Sequence, residues 1–194
     1  MILYLDTETT GLYPGQICQL SYLMQEGEKV SAKNFFFSVD SVDYGAYMIH
    51  GFSKEKLENL SGGKKFIDYV SEIEKDFLKA DVLVAHNVSF DFMFLRKEFE
   101  RVGMDFLYKN EFCTMKKLTP VCKFTRTNNA GYKYPKLSEA CEFFGITDTE
   151  IKSDVKRFFN AKIGFHDARF DTTALYLLAN YGMEKGLEEL KEYL

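Results

Sequence analysis

Met1-Ile2-Leu3-Tyr4-Leu5-Asp6-Thr7-Glu8-Thr9-Thr10-Gly11 opens the chain with an apolar run that ends in acids. The run reads as a short central strand, and alternate side chains of a strand face the same way. Asp6 and Glu8 therefore project together if extension persists to Glu8. Two acids at a strand end, taken alone, are most simply a solvated pair. Thr9-Thr10-Gly11 argues for more, because a glycine after two small hydroxyl residues lets a ligand approach the backbone.

Two distant fragments repeat the theme: His86-Asn87-Val88-Ser89-Phe90-Asp91, which follows the apolar run DVLVA, and His166-Asp167-Ala168-Arg169-Phe170-Asp171. Asp91 shares a helix side with Phe94 and Leu95, and Asp171 with Ala174, Leu175 and Leu178. A lone acid near a helix start is ordinarily a capping or dipole-favoured residue. That reading does not account for both acids together with the strand pair. A carboxylate at the edge of apolar packing is costly unless it is paired or coordinates a metal. Asp6, Glu8, Asp91 and Asp171 thus predict one divalent-metal site with His166 beside it, which points to a nuclease. Oxygen ligands of this kind suit Mg²⁺ or Mn²⁺ rather than zinc.

Around these fragments the pattern is that of a mixed sheet. Strand candidates 16–24 and 29–39 flank the turn signal Glu26-Gly27-Glu28, which with the opening run makes an antiparallel meander. Residues 46–59 read as short helical pieces. Phe66, Val70, Ile73 and Phe77 predict one helix with a single apolar stripe. A buried strand at 81–86 runs into a helix carrying Phe92, Leu95, Phe99 and Val102 and stopped by Gly103. A strand at 111–114 leads into a helix to about Cys122, and 123–136 reads as a loop. Helices follow at 137–144, 151–159 and 170–181, and Leu187, Leu190 and Leu194 line a final short one. Three antiparallel strands followed by strands alternating with helices predict an α/β fold, a mixed sheet flanked by helices.

With 194 residues, 46% hydrophobic and 16% aromatic, the chain can fill one core, and a single domain over 1–194 is expected, its core about 1–182 and a C-terminal helix over 183–194. The amino terminus lacks a basic region before its short apolar run, and no stretch has the length of a membrane span. A soluble, cytoplasmic protein with no membrane partner is therefore expected. Cys18, Cys113, Cys122 and Cys141 lack metal-type spacing and read as buried free thiols. The net charge of −4 argues weakly against a nucleic-acid partner, since metal-binding acids contribute to it. Locally the balance reverses. Lys109, Lys116, Lys117, Lys123, Arg126, Lys133 and Lys136 face one acid, Glu111, giving 7 − 1 = +6 over 109–136.

Asp6-Thr-Glu-Thr-Thr-Gly, His86-Asn-x-x-Phe-Asp91 and His166-Asp-Ala-x-x-Asp171 resemble the three exonuclease motifs of the DEDD superfamily. The histidine five residues before the last acid is similar to the DEDDh, DnaQ-like branch, which contains polymerase proofreading subunits and ribonuclease T. Met48-Ile-His-Gly-Phe-Ser also looks like a segment common between the first two motifs. The resemblance covers about residues 1–182; the long basic loop at 123–136 departs from it. It implies an RNase H-like, five-stranded sheet and 3′-to-5′ removal of nucleotides by a two-metal mechanism, with one Mg²⁺ or Mn²⁺ activating water and the other stabilising the departing 3′ oxygen. Asp6 would bridge both ions, Glu8 and Asp171 would complete the first site, and Asp91 would hold the second through water. His166 would take the proton from the attacking water, since imidazole titrates near neutrality.

His86 and His50 read as structural or peripheral rather than catalytic. Candidate substrate contacts are Thr7, Thr9, Gly11, Leu12, His86, Asn87, Phe90 and Lys136, with Leu12 packing on a base or, equally, serving as ordinary core. Lys123, Phe124, Arg126, Tyr132, Lys133, Tyr134 and Lys136 have the composition of a single-strand platform, against the plainer reading of a solvated basic loop. The expected substrate is a single-stranded or frayed DNA 3′ end, with RNA second and a DNA polymerase as a possible partner. Competing classes are a haloacid-dehalogenase-like phosphatase, a DxD nucleotide-sugar transferase and a non-catalytic nucleic-acid-binding module. The first two leave His166 and Asp171 without a task.

Overall fold

A computed structural model describes residues 1–13, 15–127 and 131–194. The opening run forms β1 (Ile2–Thr9), so extension does persist past Glu8. It pairs antiparallel with β2 (Ile17–Glu26), which pairs antiparallel with β3 (Lys29–Phe36) across a turn at Gly27, whose φ of 59° suits glycine. On its other side β1 pairs parallel with β4 (Val82–Ala85), and β4 with β5 (Glu111–Cys113). The sheet order is β3-β2-β1-β4-β5.

β1 is central, and its residues are buried on both faces, which explains an apolar run rather than an alternation. Ile2 and Tyr4 pack in one core with α8 (Ala168–Gly182), α6 (Leu137–Phe143) and α7 (Asp148–Phe159). Leu3 and Leu5 pack in the other with α3 (Val70–Lys79) and α4 (Val88–Arg101). Helices α1 (Tyr44–His50) and α2 (Lys54–Ser61) lie between β3 and α3 in sequence, and α5 (Thr114–Cys122) follows β5 directly.

Several boundaries differ from expectation for identifiable reasons. The stripe from Phe66 to Phe77 is one apolar face but two elements: a 3₁₀ turn at Phe66–Asp68 gives way to α3 at Tyr69. Helix α7 starts at Asp148, before Ile151, because Thr147 caps it by accepting the Glu150 N–H at 3.3 Å. The carboxyl-terminal segment is 3₁₀ (Glu188–Tyr193), and only Leu187 and Leu190 are buried; Leu194 is exposed.

The basic segment is more ordered than a plain loop. Thr125 bridges Tyr132, and the Lys133 N–H donates to the Phe124 carbonyl at 2.7 Å. Residues 128–130 of that segment lie outside the described residues. Its positive charge is also partly spent: Lys133 pairs with Glu139, Lys109 with Asp81 at 2.8 Å and Lys117 with Glu189 at 2.6 Å. All four cysteines are buried free thiols. Among the described residues no helix is long and apolar enough to cross a membrane.

Candidate active site

The carboxyl end of β1 carries Asp6 and Glu8 on the face covered by α8, and Thr7 on the opposite face toward α4. Carboxylate oxygens of Asp6, Glu8 and Asp171 lie within 4.8 Å of one another. Asp91 comes from α4 on the far side of the sheet and stands outside that group of three. Its Oδ1 accepts the Thr7 hydroxyl at 2.8 Å, so Thr7 ties the fourth acid to the same strand end. A register shift between Glu8 and Thr9 re-aims the chain just beyond the acids.

Electrostatics mark this cluster out. Asp91 is 3% exposed, and burial pushes its carboxyl up to about 7 despite the Thr7 hydrogen bond. Burial, then repulsion from Asp171, Asp167 and Asp91, pushes Glu8 up to about 8. Burial also moves Asp171 up to about 7, opposed by the His166 N–H. Asp6 is raised well above the carboxylate range by burial and by Asp171, Asp91 and Glu8. Burial and mutual repulsion raise all four acids together, a crowding of like charge that a cation would offset. Oxygen donors at this spacing fit a hard divalent cation and leave no sulfur ligand to favour zinc.

His166 is exposed, with a left-handed φ of 64°. Its backbone N–H donates to Asp171 Oδ2 at 3.0 Å, which fixes the residue at the rim. Asp6, His86, Lys136, His166 and Asp171 line one cavity of about 360 Å³ with Leu137, Ser138 and Phe165. A second, largely apolar pocket of about 470 Å³ lies on the Glu8 side of the acids. Thr7, Glu8, Thr9, Gly11, Leu12 and Phe90 line it together with Ile49, His50 and Asp43. Leu12 is 76% exposed, so it is not core. A Cβ on Gly11 would stand 2.2 Å from Asp43 Oδ2, which explains a residue without a side chain there.

Other candidate residues divide by what holds them. His86 lines the first cavity, but both ring nitrogens are engaged by protein. Nε2 donates to the Pro135 carbonyl at 2.9 Å, and Nδ1 faces the Thr114 hydroxyl at 2.9 Å. Its visible work is to hold the Pro135–Lys136 segment over the acids. Asn87 is the left-handed N-cap of α4 and lines neither cavity. His50 is buried; its Nδ1 accepts the Phe52 N–H and Nε2 contacts the Thr9 carbonyl at 3.2 Å. It braces the backbone after the acids.

Sequence reasoning did not single out Phe165, Asp43 or Asp167. Phe165 and Asp43 carry no local pattern, and Asp167 stands in the third motif without a role of its own.

Solved structures share this architecture. Exonuclease X in complex with 5′-overhanging duplex DNA superposes with a TM-score of 0.65 at 19% identity, over 96% of this chain and 93% of that one. A metal-free E. coli ExoI–ssDNA complex gives 0.70 at 17% identity, over 98% of this chain and 41% of that one. The fold is thus RNase H-like, a mixed five-stranded sheet flanked by helices. The exonuclease family model matches residues 3–179, and the chain belongs to that family, on its DEDD-type, DnaQ-like branch. It is 32% identical over 100 residues to the DNA polymerase III subunit epsilon of Rickettsia felis, covering 48% of this chain and 42% of that protein. The same subunit of Salmonella typhimurium is 33% identical over 119 residues, covering 56% and 47%. The matched stretch therefore spans less than half the length of these relatives.

Proposed function

We propose that this chain is a metal-dependent 3′-5′ exonuclease that removes nucleoside monophosphates from a single-stranded or frayed DNA end. One observation carries the reading: Asp6, Glu8 and Asp171 share a 4.8 Å cluster, joined by Asp91 through Thr7, with His166 on the same rim. Magnesium or manganese, two ions per site, supplies water activation and charge compensation at the departing 3′ oxygen when bound. Asp6, Glu8 and Asp171 would hold the first ion, and Asp6 with Asp91 would hold the second.

His166 takes the proton of the attacking water on an imidazole nitrogen. Its exposure and the tether of its backbone to Asp171 put the ring at the cavity rim. The apolar pocket beside Glu8 receives the terminal nucleotide. There Leu12 and Phe90 offer apolar surface to a base, and the backbone from Thr7 to Gly11 holds the sugar and its 3′ end. Lys136, in the wall of the cavity that also holds Asp6, His166 and Asp171, offsets the phosphate charge. DNA is favoured over RNA because both solved structures named above are DNA complexes and both relatives named above are DNA polymerase subunits. Those relatives also motivate a polymerase partner, and work in proofreading or repair.

The test is a 5′-labelled oligonucleotide with Mg²⁺, with Mn²⁺ and with EDTA. A ladder shortening from the 3′ end, abolished by EDTA and slower on matched RNA, is expected. Retention without shortening would replace the enzyme with a binding module, and phosphate release from small esters alone would favour a phosphatase.

A further inference from the structure

Gln19 lies on β2, 0% exposed, and stands opposite Glu8 in the β1–β2 register. A buried carboxamide is costly unless its donors and acceptor are matched. Here they are matched across two elements. Nε2 donates to Asn34 Oδ1 at 2.8 Å and to Asp167 Oδ1 at 2.9 Å. Oε1 accepts the Ala168 N–H at 3.1 Å, one of the free amides at the start of α8. The carboxamide therefore grips the first turn of α8 at two adjacent residues.

Asp167 is itself immobilised. It accepts the Arg169 N–H at 3.1 Å and binds the Arg169 guanidinium through Nε at 2.9 Å and Nη2 at 2.7 Å. One turn further on, the Thr172 hydroxyl donates to the Ser21 carbonyl of β2 at 3.1 Å, also in the interior. Asp171 falls between these two pegs. Its neighbours Asp6 and Glu8 repel it whenever they are ionised, so the carboxylates themselves push α8 off the sheet. Holding such groups at productive spacing is preorganisation, and it must come from contacts outside the carboxylates.

We propose that Gln19 is a positioning residue, with Thr172 as a second peg, holding α8 on β2 so that Asp171 stands against Asp6 and Glu8 before a cation binds. The proposal rests on the metal-site reading above and adds residues outside the acidic motifs. It accounts for a glutamine buried beneath a cluster of acids, where an apolar residue would otherwise cost less.

The experiment titrates Mn²⁺ into the whole chain by calorimetry, comparing wild type with Gln19→Met and Thr172→Val, and measures kcat and KM on labelled single-stranded DNA. Gln19→Met is expected to bind Mn²⁺ about tenfold more weakly. Its kcat at limiting Mn²⁺ should fall with that loss and recover at high Mn²⁺, while KM for DNA stays within about threefold. Thr172→Val should move the same way by less. Tyr22→Phe is the control: it breaks the Tyr22–Asp76 hydrogen bond of 2.7 Å on the opposite face of the sheet. It should lower the melting temperature and leave Mn²⁺ affinity alone.

Unchanged Mn²⁺ affinity in folded Gln19→Met overturns the proposal, and should that variant not fold, unchanged affinity in Thr172→Val does so. Wild type that binds no Mn²⁺ overturns the metal-site reading instead.

Discussion

Replacing Asp91 with asparagine should make the metal-free protein more stable at neutral pH, and less stable than wild type once Mn²⁺ is present. Asp91 is buried beside Thr7, and its carboxyl is raised from the ordinary 3.8 up to about 7. An acid raised on folding binds more protons in the folded than in the unfolded chain between those two values. Its stabilising share is thus complete below about pH 4 and is lost as pH rises through about 7. Ionising such a carboxyl in the folded state costs ~4 kcal/mol relative to the unfolded chain. For a chain of this size that is ~10 °C of melting temperature.

Asparagine keeps the acceptor for the Thr7 hydroxyl and removes the titration. The chain has no tryptophan, so far-ultraviolet circular dichroism is the suitable probe. Melting temperatures of both proteins are read from pH 4.5 to 8.5 in EDTA. The difference, variant minus wild type, should climb with pH toward ~10 °C. Saturating Mn²⁺ should reverse its sign at pH 8, because a ligand that binds only the folded state stabilises it by mass action. A difference that stays flat with pH, or one that Mn²⁺ leaves untouched, would refute the claim that Asp91 is held uncompensated for a cation.

Further outcomes follow from the same geometry. His166→Ala should lower kcat by roughly 10²–10⁴ with an unchanged melting temperature, since the side chain is exposed; wild-type turnover would remove it as the base. Asp6→Asn should abolish 3′-end shortening while DNA binding, followed by fluorescence anisotropy, persists; full activity would end the bridging role. Gly11→Ala should force Asp43 to swing away and raise KM for DNA more than it lowers kcat, and unaltered kinetics would mean that the pocket beside Glu8 is not the nucleotide site. Shortening the basic segment between Phe124 and Tyr134 should weaken binding and flatten its salt dependence; unchanged affinity would return it to a solvated loop.

What the sequence made legible and what it hid divide along a physical line. The central place of β1 and the mixed character of the sheet could be anticipated because β1 is an uninterrupted apolar run, and the Glu26-Gly27-Glu28 turn and the abrupt strand-to-helix junction at His86 punctuate the chain locally. The acids stood out for the same reason: a carboxylate bordering an apolar run conflicts with its surroundings, and such conflicts concentrate at functional sites. Helix α7 began earlier than its apolar residues suggest because its start is set by the Thr147 cap, a polar signal that hydrophobic spacing does not register.

Longer-range features had no local signature. That Asp91 approaches from the opposite face of the sheet depends on where α4 packs, and its link to the other acids is one hydroxyl, Thr7, which the sequence offers as a substrate contact and not as a partner of Asp91. Gln19 is harder still. A polar residue inside a strand reads as an outward-facing position, and only the docking of α8 turns it inward and gives it partners nearly 150 residues away in sequence. The acids therefore identify themselves by the strain they impose, whereas the residues that restrain them are matched by hydrogen bonds and so leave no mark of strain in the sequence.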